Sequence, residues 1–276
     1  MKKLFILTII SAFLLSSCSD SDSDLSSSLV DQLDVDSEAA LESNFEDVDV
    51  TVEAGMLTLE EGGKVERDII LDCAVIEKDT VNKIITIDYG DGCVGPGGRL
   101  RKGMIVIEYN ERKLIPGAFR IVTLVDFSID SVGIEGTRTI TNISTDLDDN
   151  PTFSITLVGG KLTWPDETFA TRDADHTRTW IRANNPLEDE THVEGGADGV
   201  KRDGVSYEIV ILERLVYKRA CRPEGVFIPV SGIKQITSGD NVAIIDYGDG
   251  RCDNIATITI NGGESFEKEL NHRGRR

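Results

Sequence analysis

Apolar residues recur along this chain in two rhythms. Leu41, Phe45, Val48, Val52, Met56 and Leu59 stand four, three, four, four and three positions apart, which is one face of an α-helix. Ser37 and Glu38 suit a helix start, so the spacing predicts a helix over 38–57. Two features oppose it: Val48, Val50 and Val52 also alternate as a strand would, and Gly55 weakens a helix by about 1 kcal/mol. After Gly63 the rhythm shortens. Runs rich in Val, Ile, Thr and Tyr follow at 68–77, 81–89, 102–109, 119–129, 136–143, 152–158, 169–180, 206–217, 225–236, 242–247 and 256–260. Turn residues separate them, and no helical pattern of crossover length lies between, so the strands should pair antiparallel. The expected fold is mainly β: a large antiparallel meander, sandwich-like or a curved sheet, in one domain. A short N-terminal helix precedes it, behind a disordered tether.

The first residues carry a different message. Lys2 and Lys3 precede an apolar run from Leu4 to Leu15, too short for a bilayer span of roughly 20 residues. It reads as a secretion signal. Leu15-Ser16-Ser17-Cys18 resembles the lipobox of bacterial lipoproteins, which implies cleavage before Cys18 and an acyl anchor (palmitate among its chains) on that cysteine. Asp20, Asp22 and Asp24 alternate with serine after it, resembling the acidic export signal of surface lipoproteins in Bacteroidota-type Gram-negative bacteria. The expected divisions are 1–17 signal peptide, 18–36 acidic Ser/Asp-rich tether, 37–63 helix and connection, 64–271 β domain and 272–276 basic tail.

Composition sharpens this. Hydrophobic residues make up 39% and charged residues 28%, the balance of a soluble globular body. Against 49 Asp and Glu stand only 29 Lys and Arg, a net charge of −20, which excludes nucleic acid as an expected partner. The stretch from Cys18 to Glu61 holds 14 acids and no Lys or Arg, so the excess is concentrated there. Arginines alternate within several predicted strands, at Arg99 and Arg101, at Arg138, and at Arg178 and Arg182. Cross-strand pairing with carboxylates on a wet sheet face is the expectation, a basic ligand-binding stripe the alternative.

One unit occurs twice. Ile87-Asp88-Tyr89-Gly90-Asp91-Gly92 returns as Ile245-Asp246-Tyr247-Gly248-Asp249-Gly250, each copy between apolar strands. As a tight turn it needs glycine for positive φ, with Asp91 and Asp249 capping amides. As a calcium site it would use Asp88, Asp91, Asp246 and Asp249, without EF-hand spacing. Gly90-Asp91-Gly92-Cys93-Val94-Gly95 matches G-x-G-x-x-G formally, but Pro96-Gly97-Gly98 follows where a nucleotide-binding helix should begin. Asp-Tyr-Gly-Asp-Gly also resembles the turn of PKD-like surface modules. With Cys18 lipidated, Cys73, Cys93, Cys221 and Cys252 allow three pairings; each repeat has one cysteine upstream and one just past its turn, which favours Cys73–Cys93 and Cys221–Cys252.

Catalytic signatures are missing. His176, His192 and His272 form no H-E-x-x-H, and no serine lies in G-x-S-x-G. No cofactor is expected, and Trp164 and Trp180 read as packing residues before sugar platforms. The segments Ile87–Gly90 through Pro96, Arg101–Gly103, Glu135–Asn142, Thr177–Trp180 and Gly225–Gly232 resemble a group of β-rich lipoproteins of Bacteroidota-type envelopes to which no activity is assigned. The resemblance implies one domain and an envelope address, and transfers no site. Expected, then, is a non-enzymatic outer-membrane lipoprotein facing the exterior, structural or binding an extracellular polysaccharide or envelope protein. The alternatives are a carrier for an apolar ligand in a concave sheet and an unmarked polymer hydrolase.

Overall fold

A computed structural model describes residues 35–60, 71–95, 98–147, 150–224, 226 and 228–270. The signal and most of the tether fall outside them, as does the basic tail. Helix α1 spans Val35–Glu60, three residues longer at each end than the spacing predicts. Fourteen strands follow: β1 (Val75–Asp79), β2 (Ile84–Asp88), β3 (Cys93–Val94), β4 (Leu100–Tyr109), β5 (Phe119–Ile129), β6 (Val132–Asn142), β7 (Thr152–Thr163), β8 (Phe169–Ile181), β9 (Glu190–Val200), β10 (Ser206–Lys218), β11 (Ser231–Ser238), β12 (Asn241–Asp249), β13 (Ile255–Ile260) and β14 (Ser265–Glu269). They form one open antiparallel sheet in which each strand pairs its neighbour in the chain, with the two-residue β3 attached to β4. That is the meander form of the expected fold. Short turns suffice for such pairing, and no crossover is needed.

The sheet is curled around the helix. Thr51, Val52, Ala54, Gly55 and Met56 are all buried and span more than half of the helix circumference, while Glu46, Val50 and Leu57 on the remaining side are exposed. A flat sheet covers one side of a helix only. Ladder irregularities recur across neighbouring pairs, at Lys102/Met104, Thr123/Ser128, Glu135/Thr137 and Leu157/Gly160, and bulges of this kind bend a sheet. The predicted apolar stripe is the helix's core face: Leu41, Phe45, Val48, Val52 and Met56 are buried, and Leu59 packs at its margin. They share one core with Ile85, Ile87, Ile105, Ile107, Val122, Leu157, Ile236, Ile245 and Ile258 from strands across the whole sheet.

Three strands escape the sequence pattern: the two-residue β3, β9 and β14. β9 reads Glu-Thr-His-Val-Glu-Gly-Gly-Ala-Asp-Gly-Val, with three glycines and little alternation. The glycines are there because the neighbouring backbones come close. A Cβ at Gly196 would lie 2.4 Å from the Ile209 carbonyl oxygen, and one at Gly199 2.0 Å from that of Thr171. The expected strand 225–236 also moves, since β11 starts only at Ser231. Buried Val226, Ile228 and Val230 belong to the connection before it and supply core residues without extended pairing. Of the 68–77 segment, only Val75 to Glu77 belong to β1 among the described residues.

Candidate functional site

Side chains alternate between the two faces of each strand, so the ladder register sorts the charges. Inside the curl stand Arg101, Arg120, Arg138, Arg172, His176, Arg178 and Lys234, interspersed with apolar residues. The helix that fills the curl has eight carboxylates in its sequence and no base. Asp47 accepts from the Arg101 guanidinium at 2.7 and 2.9 Å and from Arg99 at 3.1 Å. Asp49 accepts from Arg138 Nη2 at 2.6 Å; the Arg138 Nε also lies 2.6 Å from it but without hydrogen-bond alignment. Glu53 bridges Lys113 and Arg120, both at 2.8 Å. Burial pushes the Glu53 carboxyl up, yet the two cations outweigh it and hold it below the ordinary carboxylate range.

For Arg101 and Arg138 this corrects the expectation of cross-strand pairs on a wet face, whereas Arg99 does reach the exposed Asp130 at 3.0 Å. Arg101 is 2% exposed, and its partner comes from the helix. A strand's own sequence shows an arginine in alternation but not which face receives it. The acidic excess before Glu61 is likewise not all spacer, because three of its members sit against sheet arginines.

The outer face has the opposite character. Thr139, Thr156 and Asp175 lie in one row across β6, β7 and β8; Thr141, Ser154, Thr177 and Glu194 form the next. Asp173, Asp198 and Glu208 stand directly opposite one another on β8, β9 and β10, all exposed. Like charges in such register repel.

The duplicated unit forms two equivalent turns near the two ends of the sheet. The capping aspartates are Asp88 and Asp246, whose Oδ1 atoms accept from the Gly90 and Gly248 amides at 2.7 and 2.8 Å. Asp249 instead pairs with Arg251 at 3.0 Å, and Asp91 is exposed on the turn. The assignment of the caps to Asp91 and Asp249 is therefore displaced by three residues. Gly90 and Gly248 take φ of 57° and 85°, as the turn reading requires. Tyr89 and Tyr247 turn inward and are buried, and Tyr89 bonds to Thr51 of the helix. Among the described residues no group of three or more His, Cys, Asp or Glu side chains is placed to hold a metal ion. The two disulfides are Cys73–Cys93 and Cys221–Cys252, each tying a repeat's turn to the chain upstream of it.

The remaining candidates have structural partners. Arg202 lies over the Trp164 ring at 4.6 Å and forms an ion pair with Asp166. Trp180 donates its indole N–H to Asp189 at 3.0 Å. His192 contacts Glu190 at 2.8 Å. His176 is different: burial, reinforced by Arg172, Arg138, Arg178 and Lys234, pushes its pKa down to about 3, so the imidazole is neutral. Two open surface grooves border Lys102, Asp126 and Glu135 on one side and Asp253, Glu267 and Glu269 on the other. No described helix is long and apolar enough to cross a membrane. Compared with protein families, with characterised proteins and with solved structures, the chain matches none.

Proposed function

We propose that this is a non-enzymatic lipoprotein of the outer membrane, anchored through Cys18 and facing the exterior, whose broad sheet presents a binding or structural surface. The observation that carries this reading is the division of the sheet's two faces. The inner face is occupied by the protein's own helix, which supports a surface role over a carrier that needs an empty concave side. The outer face offers registered rows of hydroxyls and carboxylates, chemistry suited to hydrogen-bonding an extracellular polysaccharide or a complementary envelope protein. Inside the curl, Asp47, Asp49 and Glu53 are each engaged by Arg or Lys, which argues against their serving as a hydrolase's acid and base.

The test is fractionation and protease shaving. Cys18→Ser should leave the membrane fraction or retain its signal, whereas the wild type stays membrane-bound and is cut by protease added to intact cells. A Cys18→Ser variant that remains membrane-bound at the mature mass sinks the anchoring part. Replacing Asp20, Asp22 and Asp24 by alanine should protect the protein from external protease; unchanged cleavage sinks the export-signal part.

A further inference from the structure

The two disulfides are equivalent in the repeat and unequal in their surroundings. Cys221 is 1% exposed and belongs to the core, and Cys252 packs at its margin. Cys73 is exposed, on a short turn between buried Leu71 and Ala74, and its partner Cys93 is half-buried. A thiol in solution therefore has open access on the Cys73 side, which neither end of the second bond matches. The Cys93 side is distinct as well. Cys93 stands directly opposite Arg101 in the β3–β4 ladder, so the two side chains share a face. The Arg101 guanidinium spends Nε and Nη2 on Asp47, while its Nη1 is buried and meets no acceptor among the described residues. That Nη1 lies against the same stretch of chain: a Cβ at Gly95, two positions after Cys93, would stand 2.7 Å from it. A buried N–H without an acceptor carries an uncompensated desolvation cost. A thiolate at Cys93 would supply the acceptor that is lacking. Asp47 already balances the arginine's charge, so the unspent N–H, not a net positive field, sets this side apart. Beside Cys252, by contrast, Arg251 is exposed and already paired with Asp249.

We propose that the Cys73–Cys93 disulfide is a thiol-exchange site, opened at Cys73 by a dithiol reductant, while Cys221–Cys252 is a permanent clasp. One thiolate of the reductant attacks the Cys73 sulfur; the S–S bond breaks, and its electron pair leaves on the Cys93 sulfur. The reductant's second thiolate then attacks its own sulfur in the mixed disulfide and releases Cys73. The dithiol is oxidised by two electrons to a disulfide, and the two cysteines keep those electrons with the two protons. The direction of attack follows from the leaving group, since a stabilised thiolate leaves faster. Cys93 gains the Arg101 N–H, whereas Asp72 adjoins Cys73 and disfavours an anion there. Opening the bond frees β3 from the turn upstream of β1 and leaves it held by its short ladder to β4. The site stands independently of the anchor and of the sheet's outer surface.

The experiment incubates the undenatured full-length protein with dithiothreitol, quenches samples with iodoacetamide at intervals and maps the labelled cysteines by peptide mass, with Cys18 scored apart. Cys73 and Cys93 should become labelled together while Cys221 and Cys252 remain joined and the far-ultraviolet dichroism stays that of a β protein. The proposal is overturned if Cys221–Cys252 opens at the same rate or sooner, or if Cys73–Cys93 opens only once the dichroism is lost. The part assigned to Arg101 is read in Cys73→Ser, which leaves Cys93 as a free thiol. Its thiolate absorbance should appear at lower pH in the folded protein than in the same chain unfolded by urea. Adding Arg101→Met with Asp47→Asn, so that neither charge is stranded, should abolish that difference. An equal pH for folded and unfolded Cys73→Ser, or a difference that survives the loss of Arg101, overturns the arginine's role.

Discussion

Arg101 and Asp47 lie 54 residues apart in sequence and join the second turn of the sheet to the middle of the helix, through guanidinium contacts of 2.7 and 2.9 Å. The arginine is 2% exposed, so neither charge of the pair has water as a ready substitute. Removing one partner strands the other, which typically costs about 3–5 kcal/mol. Asp47→Asn and Arg101→Met should each lower stability by that order in urea unfolding. The double variant should lose at least 1 kcal/mol less than the sum, because no buried charge is then stranded. Strict additivity would show that the contact carries no coupling.

Two glycines set a contrast in packing. A Cβ at Gly199 would stand 2.0 Å from a backbone oxygen, whereas one at Gly55 would stand 2.7 Å from the end of the Ile87 side chain. A side-chain end can turn aside; a ladder oxygen cannot without breaking the sheet. Gly199→Ala should therefore destabilise by more than about 2 kcal/mol, within the range known for overpacking. Gly55→Ala should stay within about 1 kcal/mol of wild type, since gained helix propensity offsets the crowding. Equal losses in the urea midpoint would contradict the assignment of close approach to β9.

The repeated turns give a third test. Asp88→Ala and Asp246→Ala each remove an amide cap and should cost about 1 kcal/mol, by analogy with helix caps. Asp91→Asn should be silent, while Gly92→Val should not, because Gly92 holds a φ of 131°. The melting temperature should be the same in millimolar calcium and in chelator at matched ionic strength. A calcium-dependent rise abolished by Asp91→Asn would make the turn a metal site.

Acid should weaken the fold, by two groups acting in the same direction. His176 titrates at about 3 when folded against an ordinary value of 6.5, so the unfolded chain binds the extra proton between those values. Stability is then full above about pH 6.5 and falls on acidification through that window, by at most about 1.4 kcal/mol per pH unit. Glu53 has a lowered folded pKa, so its contribution is present above its ordinary value and is lost as pH falls through the folded one. Urea midpoints at pH 7 and pH 5 should differ in wild type and converge in His176→Gln. An unchanged gap in that variant would place the titration elsewhere.

The helix and the meander were legible because each rests on local rhythm: the stripe from Leu41 to Leu59 became the core face, and most strands alternate as written. β9 was not legible, since its glycines answer to carbonyls of β8 and β10 that no local pattern contains. The destination of the arginines was hidden for the same reason. Arg101 and Arg138 look alike in a strand whether they face water or a helix, and only the curl decides. The pairing of cysteines followed from the repeat. The capping residue did not, because either aspartate of each copy has the chemistry to cap a turn amide and only the backbone conformation selects Asp88 and Asp246.

The strand order bears on how the molecule is made. Nearly every ladder joins consecutive strands, so the sheet can lengthen hairpin by hairpin as residues become available, with little loop closure at each step. The helix is the exception. It precedes every strand that holds it, and Asp49 must wait for an arginine 89 residues further on. A chain emerging from its N-terminus thus carries an acidic helix whose counter-charges arrive in stages, with β4 for Asp47, β5 for Glu53 and only with β6 for Asp49. During that interval the helix's negative charge would resist adhesion to an anionic membrane, and the closing sheet would convert the same charge into its internal fastening.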